Sequence, residues 1–140
     1  MRNKKILIYK FNKYSILFLL KFQTVNNNRL KKQAIIFAGG KGMRLRPFTH
    51  VIPKPLLPVG KFSSLEIILK QLKKYKFNEV FLCVNYRADL IKSFFGNGEK
   101  IGIKINYIIE KNPRGTIGGL NLIKNLTNRF LVINGDIISN

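Results

Sequence analysis

Acidic residues are scarce in this chain of 140 residues: 6 Asp and Glu stand against 26 Lys and Arg, for a formal net charge of +20. Cysteine and histidine occur once each. A single thiol, Cys83, cannot close an internal disulfide or seed a metal cluster, and its apolar surroundings mark it as a small buried hydrophobe in a reducing compartment. His50 has neither Cys nor acid beside it, so it is a loop residue and not a metal ligand. Long apolar runs are missing too. The longest uninterrupted one near the N-terminus, Tyr14 to Leu20, is far short of the ~20 residues of a membrane span. No small-residue cleavage site follows it, which argues against a secretion signal. No transmembrane segment and a cytoplasmic location are therefore expected.

What is abundant is positive charge, and its distribution matters more than its total. Residues 1–32 hold nine Lys/Arg and no acid, whereas the remaining cations are scattered singly. A composition rich in Lys, Asn and Ile fits a base-composition bias, so no specific nucleic-acid partner is expected. Residues 1–32 are set apart as a basic leader or upstream remnant, poorly ordered, with weak membrane-surface contact as the alternative. Residues 33–140 form the domain.

Within that domain strands and helices alternate. Ala34–Ala38, Glu79–Val84, Gly102–Ile109 and Phe130–Ile133 are short apolar runs of the kind buried on both faces of a sheet. Leu65, Ile68, Leu69 and Leu72 fall at helical spacing, with Lys70, Lys73 and Lys74 opposite. Ser63 and Glu66 have the spacing of a capping box. A second helix is predicted over Arg87–Phe95 and a third over Thr116–Leu126. The fold class is α/β: a Rossmann-like, doubly wound, mostly parallel sheet with helices on both faces, truncated after about four strands. Four strands leave a sheet edge unpaired, so a marginal, aggregation-prone chain is expected.

Chemistry concentrates in "FAGGKGMRLRPFTHVIPKPLLPVG", directly after the first strand of the domain. Gly39, Gly40 and Gly42 allow backbone amides to approach a ligand as an anion nest. Arg44 and Arg46 add cations suited to bidentate phosphate contact. The loop matches neither GxxxxGK[ST] nor GxGxxG, so the glycines alone leave phosphate binding and an ordinary tight turn both open. Lys54 sits between Pro53 and Pro55, whose fixed φ stiffens its backbone. Asp136 follows the last strand through a glycine, at the ligand-facing edge of such a sheet. Mg²⁺ favours a carboxylate combined with phosphate oxygens and water; a turn or N-cap residue is the alternative for Asp136.

The stretch from Ala34 to Gly60 resembles the signature of the sugar-1-phosphate nucleotidyltransferases, G-G-x-G-[TS]-R-L-x-P…P-K-P-L-x-P-V. The similarity runs in order through "LEIILKQLKKYKFNEVFLCVNY", "FFGNGEKIGIKINYIIEKNPRGTIGGL" and "FLVINGDI". It is nearest in character to the mannose-1-phosphate guanylyltransferase and glucose-1-phosphate thymidylyltransferase branch. The resemblance implies an NTP and a sugar 1-phosphate as substrates, Mg²⁺ as cofactor and an NDP-sugar as product. It implies nucleotide contacts from Ala38, Gly39, Gly40, Gly42, Met43, Arg44, Tyr86, Gly115 and Thr116, with Tyr86 toward the base. Arg44, Lys54 and Asp136 would act on the reacting phosphates, and Asp136 would bind the metal. A homo-oligomer is compatible with it.

Met43 departs from the usual Thr or Ser, and Ser63 from the usual Pro. Catalytic domains of that family are longer than the matched stretch, so the sugar pocket and a second metal-binding Asp are expected outside it. The alternatives are a non-catalytic nucleotide-binding fragment or decayed relative, and, resting on charge alone, a basic nucleic-acid-binding module.

Overall fold

The structure, a computed structural model, describes residues 5–9, 31–110 and 118–135. Its central sheet has five strands: β1 (Lys5–Tyr9), β2 (Gln33–Phe37), β5 (Glu79–Val84), β6 (Lys104–Ile109) and β7 (Arg129–Asn134). They lie in the order β1-β7-β2-β5-β6, and every neighbouring pair is parallel. Among the described residues three α-helices intervene: α1 (Phe48–Val51), α2 (Ser64–Lys74) and α3 (Ala88–Phe95). A two-stranded antiparallel hairpin, β3 (Pro58–Val59) with β4 (Phe62–Ser63), precedes α2.

β2 is central because nothing in it needs water. Ala34, Ile35 and Ile36 are fully buried, and alternate residues feed opposite faces. Ala34 and Ile36 join the larger cluster with Val80, Leu82, Leu131 and Ile133. Leu65, Ile68, Leu69 and Leu72 of α2, and Ile91 and Phe95 of α3, cover that face. Ile35, Phe81, Cys83, Phe130 and Val132 point the other way and are covered by Leu120, Ile123 and Leu126. A substitution such as Ile36→Ala at the centre of the sheet would cost about 2–5 kcal/mol.

α2 forms as its sequence demands. The Ser63 hydroxyl accepts from the Glu66 amide at 3.2 Å, and the helix ends at Tyr75. Glu66 does not complete the capping box; its carboxylate meets Lys70 at 2.8 Å, one turn on. Beyond the helix Lys76 adopts φ +62°, and the Phe77 amide reaches back to the Leu72 carbonyl at 3.0 Å, a Schellman-type ending.

Three expectations need correction. The leader was set outside the sheet, yet Lys5–Tyr9 pairs along β7 and makes a fifth strand. Its apolar ILIY run satisfies backbone groups that β7 would otherwise expose. The helix expected over Thr116–Leu126 is, within the described residues, a 3-10 turn at Gly118–Leu122. Paired glycines at 118 and 119 lower helix propensity there, and packing of half-buried Leu120 and buried Ile123 under the sheet decides the local path. The strand expected over Gly102–Ile109 begins only at Lys104, because the φ of +75° at Gly102 belongs to the turn before β6.

Candidate functional site

The topology itself marks a site. The chain runs outward from β2 to β5 to β6, then returns across the sheet to β7 on the other side of β2. The direction of winding therefore reverses between β2 and β7. In open α/β sheets a crevice for ligands opens at the carboxyl ends of strands at such a point. The glycine loop leaves β2 at that place, and Gly135 leaves β7 beside it.

Main-chain contacts hold the three tips together. The Ala38 amide donates to the Cys83 carbonyl at 2.8 Å, extending the β2–β5 ladder by one residue. The Gly135 amide donates to the Phe37 carbonyl at 2.7 Å, doing the same for β2 and β7. Gly39 lies against Asn85, where an added Cβ would meet Asn85 atoms at 3.4 Å. Gly40 has nothing within 4 Å of such a Cβ, so the loop opens outward there.

Gly42 fixes the turn of the loop. Its φ is +61°, and a Cβ would come within 2.8 Å of Thr49 Cγ2 and 3.2 Å of Lys54 Cβ. Thr49 is buried, and its hydroxyl donates to the Gly42 carbonyl at 2.9 Å. A 3-10 turn, Met43–Leu45, starts directly afterwards. It leaves Arg44 exposed, while the Arg46 guanidinium folds back to Met43 Sδ at 2.7 Å. Lys54 opens a second 3-10 turn, half-buried between buried Pro53 and Pro55. The Ser64 hydroxyl donates to the Pro55 carbonyl at 3.0 Å and ties that segment to the start of α2. Lys54 is thus carried against the underside of Gly42 by rigid backbone.

Ala38, Gly39, Gly40, Gly42, Met43, Arg44 and Lys54 are accordingly gathered beyond β2. Tyr86, just past β5, donates its hydroxyl to the His50 carbonyl at 3.3 Å and braces α1. Gly115, Thr116 and Asp136 lie outside the described residues. Among the described residues no group of three or more His, Cys, Asp or Glu could hold a metal. None of their helices is long and apolar enough to cross a membrane.

Several residues at this edge escape sequence reasoning. Thr49 gives no signal, since its role comes from contact with Gly42. Asn85 and Glu110 follow β5 and β6 side by side: Asn85 Nδ2 donates to the Glu110 carbonyl at 2.7 Å. Glu110 Oε1 is buried with no hydrogen-bond partner among the described residues. Burial, and then the Glu110 carboxylate, push the Cys83 thiol up to about 12, so Cys83 stays an inert thiol. A signal for Glu110 did exist. It is one of six acids and directly follows an apolar strand, much as Asp136 follows one through a glycine.

The sequence model for "Nucleotidyl transferase" matches residues 33–140. This chain belongs to that family. A D-glycero-alpha-D-manno-heptose 1-phosphate guanylyltransferase of Campylobacter jejuni is 45% identical over 105 residues, which is 74% of this chain and 47% of that protein. A mannose-1-phosphate guanylyltransferase of Mycobacterium tuberculosis is 37% identical over 108 residues, covering 76% of this chain and 30% of that protein. Among solved structures, HddC from Yersinia pseudotuberculosis complexed with GMP-PN matches with a TM-score of 0.63 at 30% identity. That match covers 75% of this chain and 48% of the solved one. The chain spans about half, or less, of the length of these relatives.

Proposed function

We propose that this nucleotidyl transferase chain binds a nucleoside triphosphate at the β2–β7 switch point and uses it in transfer of a nucleoside monophosphate to a sugar 1-phosphate. The observation that carries the reading is the seating of Lys54 against Gly42 at that point, with Arg44 exposed on the next turn. Loop amides and two cations there would face the triphosphate. A phosphate oxygen of the sugar 1-phosphate attacks the α-phosphorus in line, the bond to the bridging oxygen breaks, and pyrophosphate leaves. No side-chain nucleophile is required. Lys54 and Arg44 offset the charge on the reacting phosphates, and their rigid mounting spares reorganisation.

Mg²⁺ is the cofactor this reading proposes, and its ligand Asp136 lies outside the described residues. With no cluster of three candidate ligands among the described residues, it would rest on Asp136 and take its other ligands from phosphate oxygens and water. Bound there, it would add charge neutralisation.

Guanine is the base this reading favours. Glu110 directly follows β6, two strands from the glycine loop, a separation of about 10 Å at ordinary strand spacing. A carboxylate accepts two parallel N–H groups, and guanine presents such a pair at N1 and the 2-amino group. Uracil, cytosine and adenine do not. Both similar proteins named above are guanylyltransferases, which agrees.

Titration calorimetry of the chain with GTP, dTTP, UTP and CTP, each with Mg²⁺, tests the reading. GTP should bind most tightly; absence of heat with all four would overturn it. The second reading, binding without turnover, is favoured by Met43, which places an exposed thioether where the family signature has a Thr or Ser hydroxyl. Pyrophosphate release on adding mannose 1-phosphate or a heptose 1-phosphate to the GTP complex distinguishes the two.

A further inference from the structure

Sulfur is scarce in this chain: two methionines and one cysteine. Cys83 is buried and its thiol is pushed up to about 12, so an oxidant finds neither an accessible atom nor a thiolate there. Met43 is the opposite case. It opens the 3-10 turn of the glycine loop, is 55% exposed, and is the one accessible sulfur among the described residues. Its thioether has a partner, since Arg46 Nη2 donates to Met43 Sδ at 2.7 Å. A thioether is a weak acceptor, so it holds the guanidinium loosely, and a phosphate oxygen can draw the cation away.

We propose that Met43 is a reversible oxidation site, taking oxygen from a peroxide and thereby lowering the loop's affinity for an NTP; the second half of this rests on the nucleotide reading above. A sulfur lone pair attacks one oxygen of hydrogen peroxide, the S–O bond forms and the O–O bond breaks. The hydroxide that leaves takes the proton of the transferred oxygen and departs as water. Sulfur gives up two electrons and the peroxide gains them. The sulfoxide oxygen is a strong acceptor with no proton to donate. Met43 is unbranched, so its rotatable bonds let that oxygen turn to the Arg46 guanidinium and hold it. The same oxygen sets negative charge beside incoming phosphate oxygens. Both effects oppose a triphosphate. Arg46 engages one lone pair of Sδ and leaves the other open, so one sulfoxide epimer should prevail. The side chain is exposed, so oxygenation costs no core packing.

Hydrogen peroxide treatment of the full chain tests the proposal. Peptide mass mapping separates Met43 from Met1, the other methionine. Met43 should gain one oxygen and Cys83 none, with the thermal midpoint unchanged. Affinity for GTP with Mg²⁺ should fall at least about tenfold, the scale of a lost hydrogen bond to a charged group. Each of the two methionine sulfoxide reductases acts on one epimer. One of them alone should restore most of the thioether and of the GTP affinity. In Arg46→Ala the two should share the repair about equally. Met43→Leu should bind GTP equally before and after peroxide. Equal GTP affinity of the oxidised and reduced chains overturns the proposal, and so does a loss that Met43→Leu does not prevent. A reduced chain that binds no NTP overturns the nucleotide reading instead. The epimer excess, and its collapse in Arg46→Ala, then decide whether Met43 and Arg46 form the oxidation site.

Discussion

The Gly135 amide meets the Phe37 carbonyl at 2.7 Å, so the tips of β7 and β2 touch where the sheet reverses its winding. A Cβ at 135 would lie 2.7 Å from that same oxygen and 3.3 Å from Ala38 Cα. Both are main-chain atoms that cannot swing aside. Gly135→Ala should cost about 1–3 kcal/mol in urea unfolding, as overpacking does. It should also weaken NTP binding in calorimetry, because the displaced backbone is the root of the glycine loop.

Gly42→Ala should be worse for binding than for folding. It imposes a left-handed conformation on alanine, at about 1–2 kcal/mol, and sets the methyl against Thr49 Cγ2. Thr49→Ser removes that methyl while keeping the hydroxyl that bonds to the Gly42 carbonyl. The double variant should therefore recover part of the loss seen with Gly42→Ala alone. A double-mutant cycle on GTP affinity measures the recovery; strict additivity would show that Thr49 does not shape the loop.

Stability should depend on acid through Glu79, at the start of β5. Burial pushes this carboxyl upward, but hydrogen bonds from Lys31, Gln33, Asn106 and Lys104 outweigh it and hold the group at about 2. Gln33 Nε2 approaches at 2.7 Å, Lys31 Nζ at 2.7 Å and Asn106 Nδ2 at 2.9 Å. A depressed carboxyl stabilises the fold at pH above its unfolded value, near 4.5. That contribution falls away as pH drops from there toward 2. Urea midpoints measured across pH 2–5 should decline, and Glu79→Gln should flatten the decline while lowering stability at pH 7 by a few kcal/mol.

Lys76→Gly should stabilise the protein. A lysine at φ +62° sits where glycine is favoured, and it faces buried Lys32. Desolvation first, and Lys76 second, lower the Lys32 pKa. Removing Lys76 relieves the second cause. A gain of about 0.5–1 kcal/mol, or about 2–4 °C in Tm, should appear in thermal unfolding.

Much of this was legible because it is local. AIIFA and EVFLCV carry their own burial, and Ser63 and the Leu65–Leu72 stripe announce α2. The glycine loop and Lys54 were legible as one stretch, and the structure seats Lys54 against Gly42. What was hidden depends on partners distant in sequence. Lys5–Tyr9 becomes a strand only because Arg129–Asn134 lies beside it. Glu79 is an acid inside an apolar run whose four donors come from two other strands and from the residues preceding β2. Thr49 matters only through Gly42. The helix predicted over Thr116–Leu126 shows tertiary packing overriding periodicity, since Leu120 packs half-buried from a 3-10 turn and Ile123, just past that turn, is buried.

The central claim is that the glycine loop after β2 and the tip of β7 form one phosphate-binding edge. Amide NMR of the ¹⁵N-labelled chain, titrated with GTP and Mg²⁺, tests it most directly. The amides of Gly39, Gly40, Gly42 and Gly135 should shift together, saturating at one common concentration. Shifts confined to the opposite end of the sheet, around Asn97–Asn106, or a Gly135 amide that stays still while the loop responds, would contradict it.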